Sequence, residues 1–371
     1  MPTPAANTAI GTRVGTAIEC DALVIGAGPV GLFQVFQLGL QDIRAQVVDA
    51  LPVAGGQCIQ LYADKPIYDI PAVQVCTGRE LVARLLAQIA PFAPAWHLGQ
   101  VVTTLAPRDD GRFDLATSAG QRFTSRSVFI AGGVGAFQPR ALKVDGVERH
   151  LGSQLFYERP AASTLAGREV LVLGGDDAAV AAAVQLAEAG TARPARITLL
   201  HRRGVLDAEA GLLARWQSLV DSGALRFEVG QVLGIEEDAA QRLVAAQVIG
   251  DDNTARRLPV DALLVYLGLS PKLGPIAQWG LAMARRQLAV DAAHFETSTP
   301  GIFAVGDVVN YPGKKKLILC GFHEATLAAF AAAARLRPGP PQPLLYTTTS
   351  PRLHQLLGVA TPGRSGSVLP L

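Results

Sequence analysis

Near the start of the chain, Gly26-Ala27-Gly28-Pro29-Val30-Gly31 carries a glycine spacing that lets a backbone approach a pyrophosphate. Gly26 suits the tight bend, Gly28 leaves room for the phosphates, and Gly31 lets the following helix pack closely on its strand. The N–H groups at that helix start would face the phosphates. Asp49, 18 residues after Gly31, is spaced to accept a ribose hydroxyl. Near the other end, Gly306-Asp307 closes the apolar run at residues 302–305 and aims a second carboxylate at polyol hydroxyls. Either signature alone fits many turns. The pair points to a dinucleotide that carries a polyol, namely FAD.

A second glycine turn reads Gly174-Gly175-Asp176-Asp177-Ala178-Ala179, and the strand after its helix ends in His201-Arg202-Arg203. The sign of charge is reversed relative to Asp49. An acid there repels a 2′-phosphate, whereas paired arginines attract it with charge-assisted hydrogen bonds. The reading is NADP(H) rather than NAD(H), held by Gly174, Gly175, Asp177, His201, Arg202 and Arg203; a solvated basic turn is the plain alternative.

The elements needed to position these residues are legible on either side. An apolar run at 21–25, a helical stretch to about Leu40 and a second apolar run at 45–48 make a βαβ unit around the first turn. Residues 169–173, an Ala-rich stretch to about Gly190 and residues 196–200 make another around the second. Apolar strands at 127–131 and 261–269 fill the remainder. The expected fold is α/β, with two Rossmann-like nucleotide-binding domains of the three-layer ββα kind and the NADP domain inserted in the FAD domain. The expected boundaries are a loose tail at 1–19, FAD domain at 20–138 and 263–371, and NADP(H) domain at 139–262.

Composition agrees with two cores: 371 residues, 49% hydrophobic and 17% charged, exceed what one core usually organises. A formal charge of +2 and the absence of a Lys/Arg-rich arm argue against nucleic acid. No apolar stretch reaches the roughly 20 residues of a membrane span, and residues 1–19 lack a signal-peptide core. Cys20, Cys58, Cys76 and Cys320 show neither a C-x-x-C pair nor zinc spacing. They read as idle thiols in a reducing cytoplasm, with no metal.

At this point the chain resembles the bacterial thioredoxin-reductase-like (type 2) ferredoxin/flavodoxin–NADP+ reductases, from about Cys20 to Gly358. The resemblance is carried by Gly55-Gly56-Gln57-Cys58-Ile59-Gln60-Leu61-Tyr62, Lys65-Pro66-Ile67-Tyr68-Asp69, residues 268–276, Gly306-Asp307, Leu317-Ile318-Leu319-Cys320-Gly321-Phe322-His323-Glu324-Ala325 and Tyr346-Thr347-Thr348-Thr349-Ser350. It implies FAD, a homodimer, and electron exchange between NADPH and ferredoxin or flavodoxin. It further implies that Asp49 holds the adenosine ribose, that Gln57 and Tyr62 contact the flavin, and that Val102, Phe137, Asp307 and Thr348 complete the pocket. Tyr346 resembles a tail residue covering the second flavin face from the partner subunit; a surface tyrosine is equally compatible. Cys320 would fill space beside the flavin. His323 and Glu324 could serve proton traffic or simply helix packing. Lys314-Lys315-Lys316 could steer an acidic carrier or be an ordinary solvated turn.

Thioredoxin reductase, the rival by fold, needs a dithiol before the second turn, and residues 151–167 contain no cysteine. The chain departs from its family at that turn, where relatives read Gly-Gly-Gly-Asp-Ser-Ala: Asp176 replaces the third of these glycines, the one placed like Gly28, and Ala178 the serine. A carboxylate there opposes a pyrophosphate. Three readings stand: an NADPH-dependent reductase, a flavin enzyme with impaired or lost use of NADPH, and a flavin-binding or sensing protein without turnover.

Overall fold

The computed structural model describes residues 16–339 and 346–359. Most of the expected 1–19 tail therefore lies outside the described residues. The chain divides into two compact units, one of Met1–Ala136 with Lys272–Leu371 and one of Phe137–Pro271. The insertion expected from the sequence is present. Its second boundary falls at 271/272 instead of 262/263, because the strand Ala262–Val265 sits inside the second sheet, paired with Glu169–Leu173.

The first unit begins with β1 (Ile18–Ile25), α1 (Pro29–Leu40), β2 (Ala45–Asp49) and, after a short helical turn at Gln57–Gln60, α2 (Gly78–Ile89). It continues through β3 (Ala95–Leu98), β4 (Val102–Pro107), β5 (Phe113–Thr117) and β6 (Arg122–Ile130). The second unit supplies β7 (Leu155–Phe156), β8 (Glu169–Leu173), α3 (Asp177–Ala187), β9 (Arg196–His201), α4 (Ala210–Asp221), β10 (Arg226–Glu237), β11 (Leu243–Gly250), β12 (Ala255–Pro259) and β13 (Ala262–Val265). The chain then returns with β14 (Ile302–Ala304), α5 (Ile318–Leu336) and α6 (Pro351–Leu357).

Each unit has one seven-stranded sheet. The first runs β3-β2-β1-β6-β5-β4 with β14 paired to β6, and the second runs β7-β13-β8-β9-β10-β11-β12. β3, β2, β1, β6 and β14 are parallel, while β4 and β5 form an antiparallel extension.

Period-two alternation explains why strands buried on both faces read as unbroken apolar runs. In β1, Ala22 and Val24 join the core beneath the helices, and Leu23 and Ile25 join the core on the opposite face. β8 repeats the arrangement, with Val170 and Val172 on the helix side and Leu171 and Leu173 on the other. Helices, central sheet and a β-rich third layer make the expected three-layer ββα architecture in both units.

Local signals set the helix starts. Thr77 and Glu80 form a reciprocal capping box at α2, with Glu80 N donating to Thr77 Oγ1 at 3.2 Å and Thr77 N to Glu80 Oε2 at 2.9 Å. Ser350 caps α6 ahead of Pro351. The late strand β14 locks onto β6 by pairing Phe303 with Phe129, whose buried rings stack at 5.1 Å. That contact joins the two halves of the first unit. Among the described residues no helix is long and apolar enough to cross a membrane.

Candidate functional site

Because β1, β2, β6 and β14 are parallel, their carboxyl ends fall on one edge of the sheet. That edge carries Gly26, Asp49, Gly132-Gly133 and Gly306-Asp307, the usual place for a ligand in an open parallel sheet. Gly26 has φ +112°, and a Cβ there would lie 2.4 Å from Ala131 O. A Cβ on Gly31 would lie 1.9 Å from Gly26 O, so α1 can pack this closely only on a glycine. Gly28 is the N-cap of α1 and supplies no side-chain acceptor to its first turn. Opposite it, a Cβ on Gly56 would come within 2.9 Å of Gly28 Cα. An uncapped helix start walled by bare backbone fits a pyrophosphate.

Asp49 lies at the end of β2, as its spacing predicts. Its Oδ2 accepts Ala27 N at 2.5 Å and its Oδ1 accepts Leu51 N at 2.7 Å. Burial raises its pKa, while those two N–H groups pull the other way. A carboxylate has about four acceptor positions, so these bonds orient the group and leave capacity for a ribose hydroxyl. Gln100 N donates to Asp49 O at 2.9 Å, which ties the stretch just before β4 to the same loop. Val102 itself is 3% exposed and belongs to the core on the β-rich face. Its side chain is packing, so any ligand role falls to its backbone.

At the same edge, the Gln57 amide lies against Gly133, where a Cβ would sit 3.1 Å from Nε2. Tyr62 is partly buried, with its hydroxyl 3.9 Å from Cys58 Sγ. Burial, then Cys58 and Asp307, push its pKa up, so the ring is a neutral phenol. Asp307 is likewise raised by burial, against the opposing pull of Lys314 and Lys316. Val30, on the first turn of α1, touches the positions a Cβ would take on Gly306 and Gly321, at 3.4 and 2.3 Å. The start of α5 thereby holds Gly306-Asp307 beside the first glycine turn.

Several expected site residues stand elsewhere. Glu324 does not face solvent: it is wholly buried and accepts hydrogen bonds from Gly306 N at 2.6 Å, from Tyr311 OH at 2.8 Å and from Lys314 Nζ. It is unsuited to proton traffic. Lys314 is consequently no docking lysine, since its side chain is 6% exposed and its charge is matched within the protein; Lys315, Lys316 and His323 are exposed. Cys320 is partly buried at the start of α5.

Tyr346 and Thr348 are not brought to this edge either. They form an exposed turn, with Thr349 N donating to Tyr346 O at 2.9 Å, ahead of α6. Arg352 of that helix pairs with Asp42 at 2.6 Å, just past the end of α1. The twelve residues of α1 put this anchor about 18 Å from the Gly28 turn. Phe137 lies in the short strand Ala136–Pro139.

The second unit repeats the first with one change. Gly174 has φ +146°, and a Cβ there would lie 2.3 Å from Tyr266 O. Gly175 faces the His201 ring, whose Nδ1 would be 2.6 Å from an added Cβ; His201 thus covers the second turn as Asp49 covers Ala27. Arg202 and Arg203 are exposed. Burial and then Arg203 and Arg202 hold the His201 pKa below the ordinary range, with Asp176 opposing. Asp177 Oδ1 accepts Glu209 N at 2.7 Å, which fixes the loop entering α4. At the place of Gly28 stands Asp176, N-cap of α3, whose Oδ1 accepts Ala179 N at 3.1 Å. The helix start is occupied by the protein's own carboxylate. The sequence showed the substitution but not the cap, because N-capping depends on backbone conformation.

The chain matches the model of the pyridine nucleotide-disulphide oxidoreductase family over residues 20–332. A ferredoxin–NADP reductase of Verminephrobacter eiseniae is 58% identical over 347 residues, covering 92% of this chain and 98% of that protein. The ferredoxin–NADP reductase of Paracidovorax citrulli is 59% identical over 352 residues, covering 93% and 98%. Among solved structures, the bacillithiol disulfide reductase of Staphylococcus aureus has a TM-score of 0.58 at 17% identity, covering 86% of this chain and all of that one. The thioredoxin reductase of T. acidophilum has a TM-score of 0.53 at 19% identity, covering 86% and 99%. These two share the fold. Relatives more than half identical over nearly their whole length make the assignment specific, and the chain belongs to the ferredoxin–NADP reductases of the pyridine nucleotide-disulphide oxidoreductase family.

Proposed function

We propose that this chain is a FAD-dependent oxidoreductase that carries electrons between NADPH and ferredoxin or flavodoxin. The observation that carries the reading is the uncapped Gly28 turn at the same sheet edge as Asp49 and Asp307, in a chain whose relatives bear that activity in their names. FAD supplies the redox step when bound, exchanging hydride with nicotinamide and electrons with a carrier. The protein's own residues bind and orient. Gly26, Gly28 and Gly31 shape the pyrophosphate turn, Asp49 takes the adenosine ribose, Asp307 takes polyol hydroxyls, and Gln57 and Tyr62 lie along the flavin. Tyr62, held neutral, presents an aromatic face without a competing charge.

The unit of Met1–Ala136 with Lys272–Leu371 is read as the FAD domain and that of Phe137–Pro271 as the NADP(H) domain. In the latter, Gly174, Gly175 and Asp177 shape the turn, and His201, Arg202 and Arg203 meet the 2′-phosphate. The homodimer is supported by the remote anchoring of α6, since Tyr346 and Thr348 would then serve the flavin of the partner subunit. A cytoplasmic setting suits the four free thiols. Lys315 and Lys316 are read as the exposed positive charges that meet an acidic carrier.

The test is anaerobic titration of the yellow holoprotein with NADPH while the flavin absorption band is followed. Prompt bleaching, with electrons then passed to added ferredoxin, is the expected result; an unchanged band at millimolar NADPH refutes it. The Asp176 carboxylate at the start of α3 favours, as a second reading, a flavin enzyme with impaired or lost use of NADPH.

A further inference from the structure

The most completely buried acid of the first unit is one that no binding role uses. Glu324 is in the second turn of α5 with no exposed surface, and Lys314, its ion partner, is nearly as enclosed. Burying such a charge is costly unless it is paired and hydrogen-bonded. Here three donors converge on it: Gly306 N at 2.6 Å, Tyr311 OH at 2.8 Å and Lys314 Nζ. Lys314 Nζ also lies 5.7 Å from the centre of the Tyr311 ring. The adjacent carboxylate has the opposite character. Among the described residues no donor lies within hydrogen-bond distance of the Asp307 side chain, although Lys314 and Lys316 are close enough to act on it electrostatically.

We propose that Glu324 is a positioning residue for the flavin site: it holds the Gly306 N–H and draws the Lys314 charge to itself, leaving the Asp307 carboxylate free for cofactor hydroxyls. The assignment rests on the FAD reading of this edge and names a residue that touches no cofactor itself. Two acids 17 residues apart in sequence thereby divide the labour, Glu324 holding the protein's own donors and Asp307 left for the cofactor. Without the Glu324 charge, the enclosed ammonium of Lys314 has Asp307 as its remaining acidic neighbour. An Asp307 paired with lysine would no longer be free to accept from FAD. Glu324→Gln keeps one acceptor for Gly306 N but presents N–H groups to Lys314 and Tyr311, which are donors already.

The experiment compares FAD dissociation constants, measured on deflavinated protein by flavin fluorescence, for the wild type, E324Q, K314M, E324Q/K314M and D307N, with and without E324Q. We expect E324Q to weaken FAD by about tenfold or more, in line with one broken buried charge contact. The double variant E324Q/K314M removes both charges together and should recover to within about threefold of wild type. D307N should weaken FAD about tenfold in the wild-type background and less than about threefold in E324Q, because Lys314 has already engaged Asp307 there. A purely structural Glu324–Lys314 pair would also give the rescue, but the cost of D307N would then be the same with and without E324Q. The proposal is overturned if E324Q binds FAD like the wild type, if E324Q/K314M is as weak as E324Q, or if D307N costs the same in both backgrounds. Failure of the FAD reading would look different, since the wild-type apoprotein itself would not bind FAD.

Discussion

Replacing Asp176 by glycine should tighten NADPH binding by about thirtyfold, and the magnitude follows from where its carboxylate sits. In the first unit Gly28 leaves the α1 start open, while Asp176 closes the corresponding start of α3 by accepting Ala179 N at 3.1 Å. A pyrophosphate on that turn would meet a negative charge about 4 Å away, which costs about 1 kcal/mol in bulk water and about 4 kcal/mol at an effective dielectric of about 20. Asp176 is half-buried, so the repulsion falls between these limits, at about 2 kcal/mol, and about 1.4 kcal/mol changes a dissociation constant tenfold. The fold should hardly notice, because glycine replaces aspartate as an N-cap at a cost of only a few tenths of a kcal/mol. Calorimetric titration of wild type, D176G and D176N with NADPH, alongside thermal melts, separates the two physical causes. D176N keeps the cap and removes the charge, so it should recover most of the gain if repulsion dominates and little if the side chain's occupancy of the helix start dominates. Dissociation constants for D176G within twofold of wild type, with an unchanged melt, would refute the reasoning.

Other outcomes follow from single contacts. Gly31→Ala places a Cβ 1.9 Å from Gly26 O, a backbone atom that cannot yield; the protein should purify without FAD, which an absorption spectrum reads directly. Phe129→Ala removes a fully buried ring stacked on Phe303 and should cost about 3–5 kcal/mol of stability in urea unfolding. His201 should titrate below the ordinary value of about 6.5, and further below in D176N, where the neighbour that opposes Arg202 and Arg203 is neutral. A histidine with a depressed folded-state pKa contributes stability present above about pH 6.5 and lost as the pH falls through its folded value. Melts at successively lower pH should therefore fall less in His201→Asn. Lys315→Gln with Lys316→Gln should slow reduction of an acidic ferredoxin at low salt; an equal rate across ionic strengths would remove these lysines from docking.

The strands and first turns of each Rossmann unit were legible because they depend on local pattern. β1 and β8 are unbroken apolar runs because both faces of each sheet are covered, and Gly26 and Gly174 are followed by helices in both units. The positions of Asp49 and His201 were legible for the same reason, each ending the second strand of its βαβ motif. The boundary at 262 was misplaced because nothing local shows whether an apolar run pairs with the first sheet or the second; β13 is decided by partners nearly a hundred residues upstream in β8. The burial of Glu324 and Lys314 as a pair was not legible for a related reason. Charged side chains beside a glycine turn look like surface, and only the return of α5 onto Val30 and Gly306 turns that segment inward.

The two units pose a controlled comparison within one chain. Both have a positive φ that only glycine readily accommodates, a parallel strand on each side, and a helix whose fourth-residue N–H returns to the cap carbonyl: Leu32 N to Gly28 O at 2.9 Å, and Val180 N to Asp176 O at 3.0 Å. With the backbone so closely matched, the difference between the two turns reduces to one side chain. Where the cap is glycine, the helix start has no acceptor of its own and favours an anion from outside; where it is aspartate, that demand is met internally and an incoming phosphate must displace a carboxylate. A tightly held prosthetic group and a co-substrate that must leave each turnover call for different affinities at the same kind of turn. On the reading of the first turn as the FAD site and the second as the NADP(H) site, the exchange of Gly28 for Asp176 would make the second turn the weaker anion site without altering the fold, with the exposed Arg202 and Arg203 left to supply attraction.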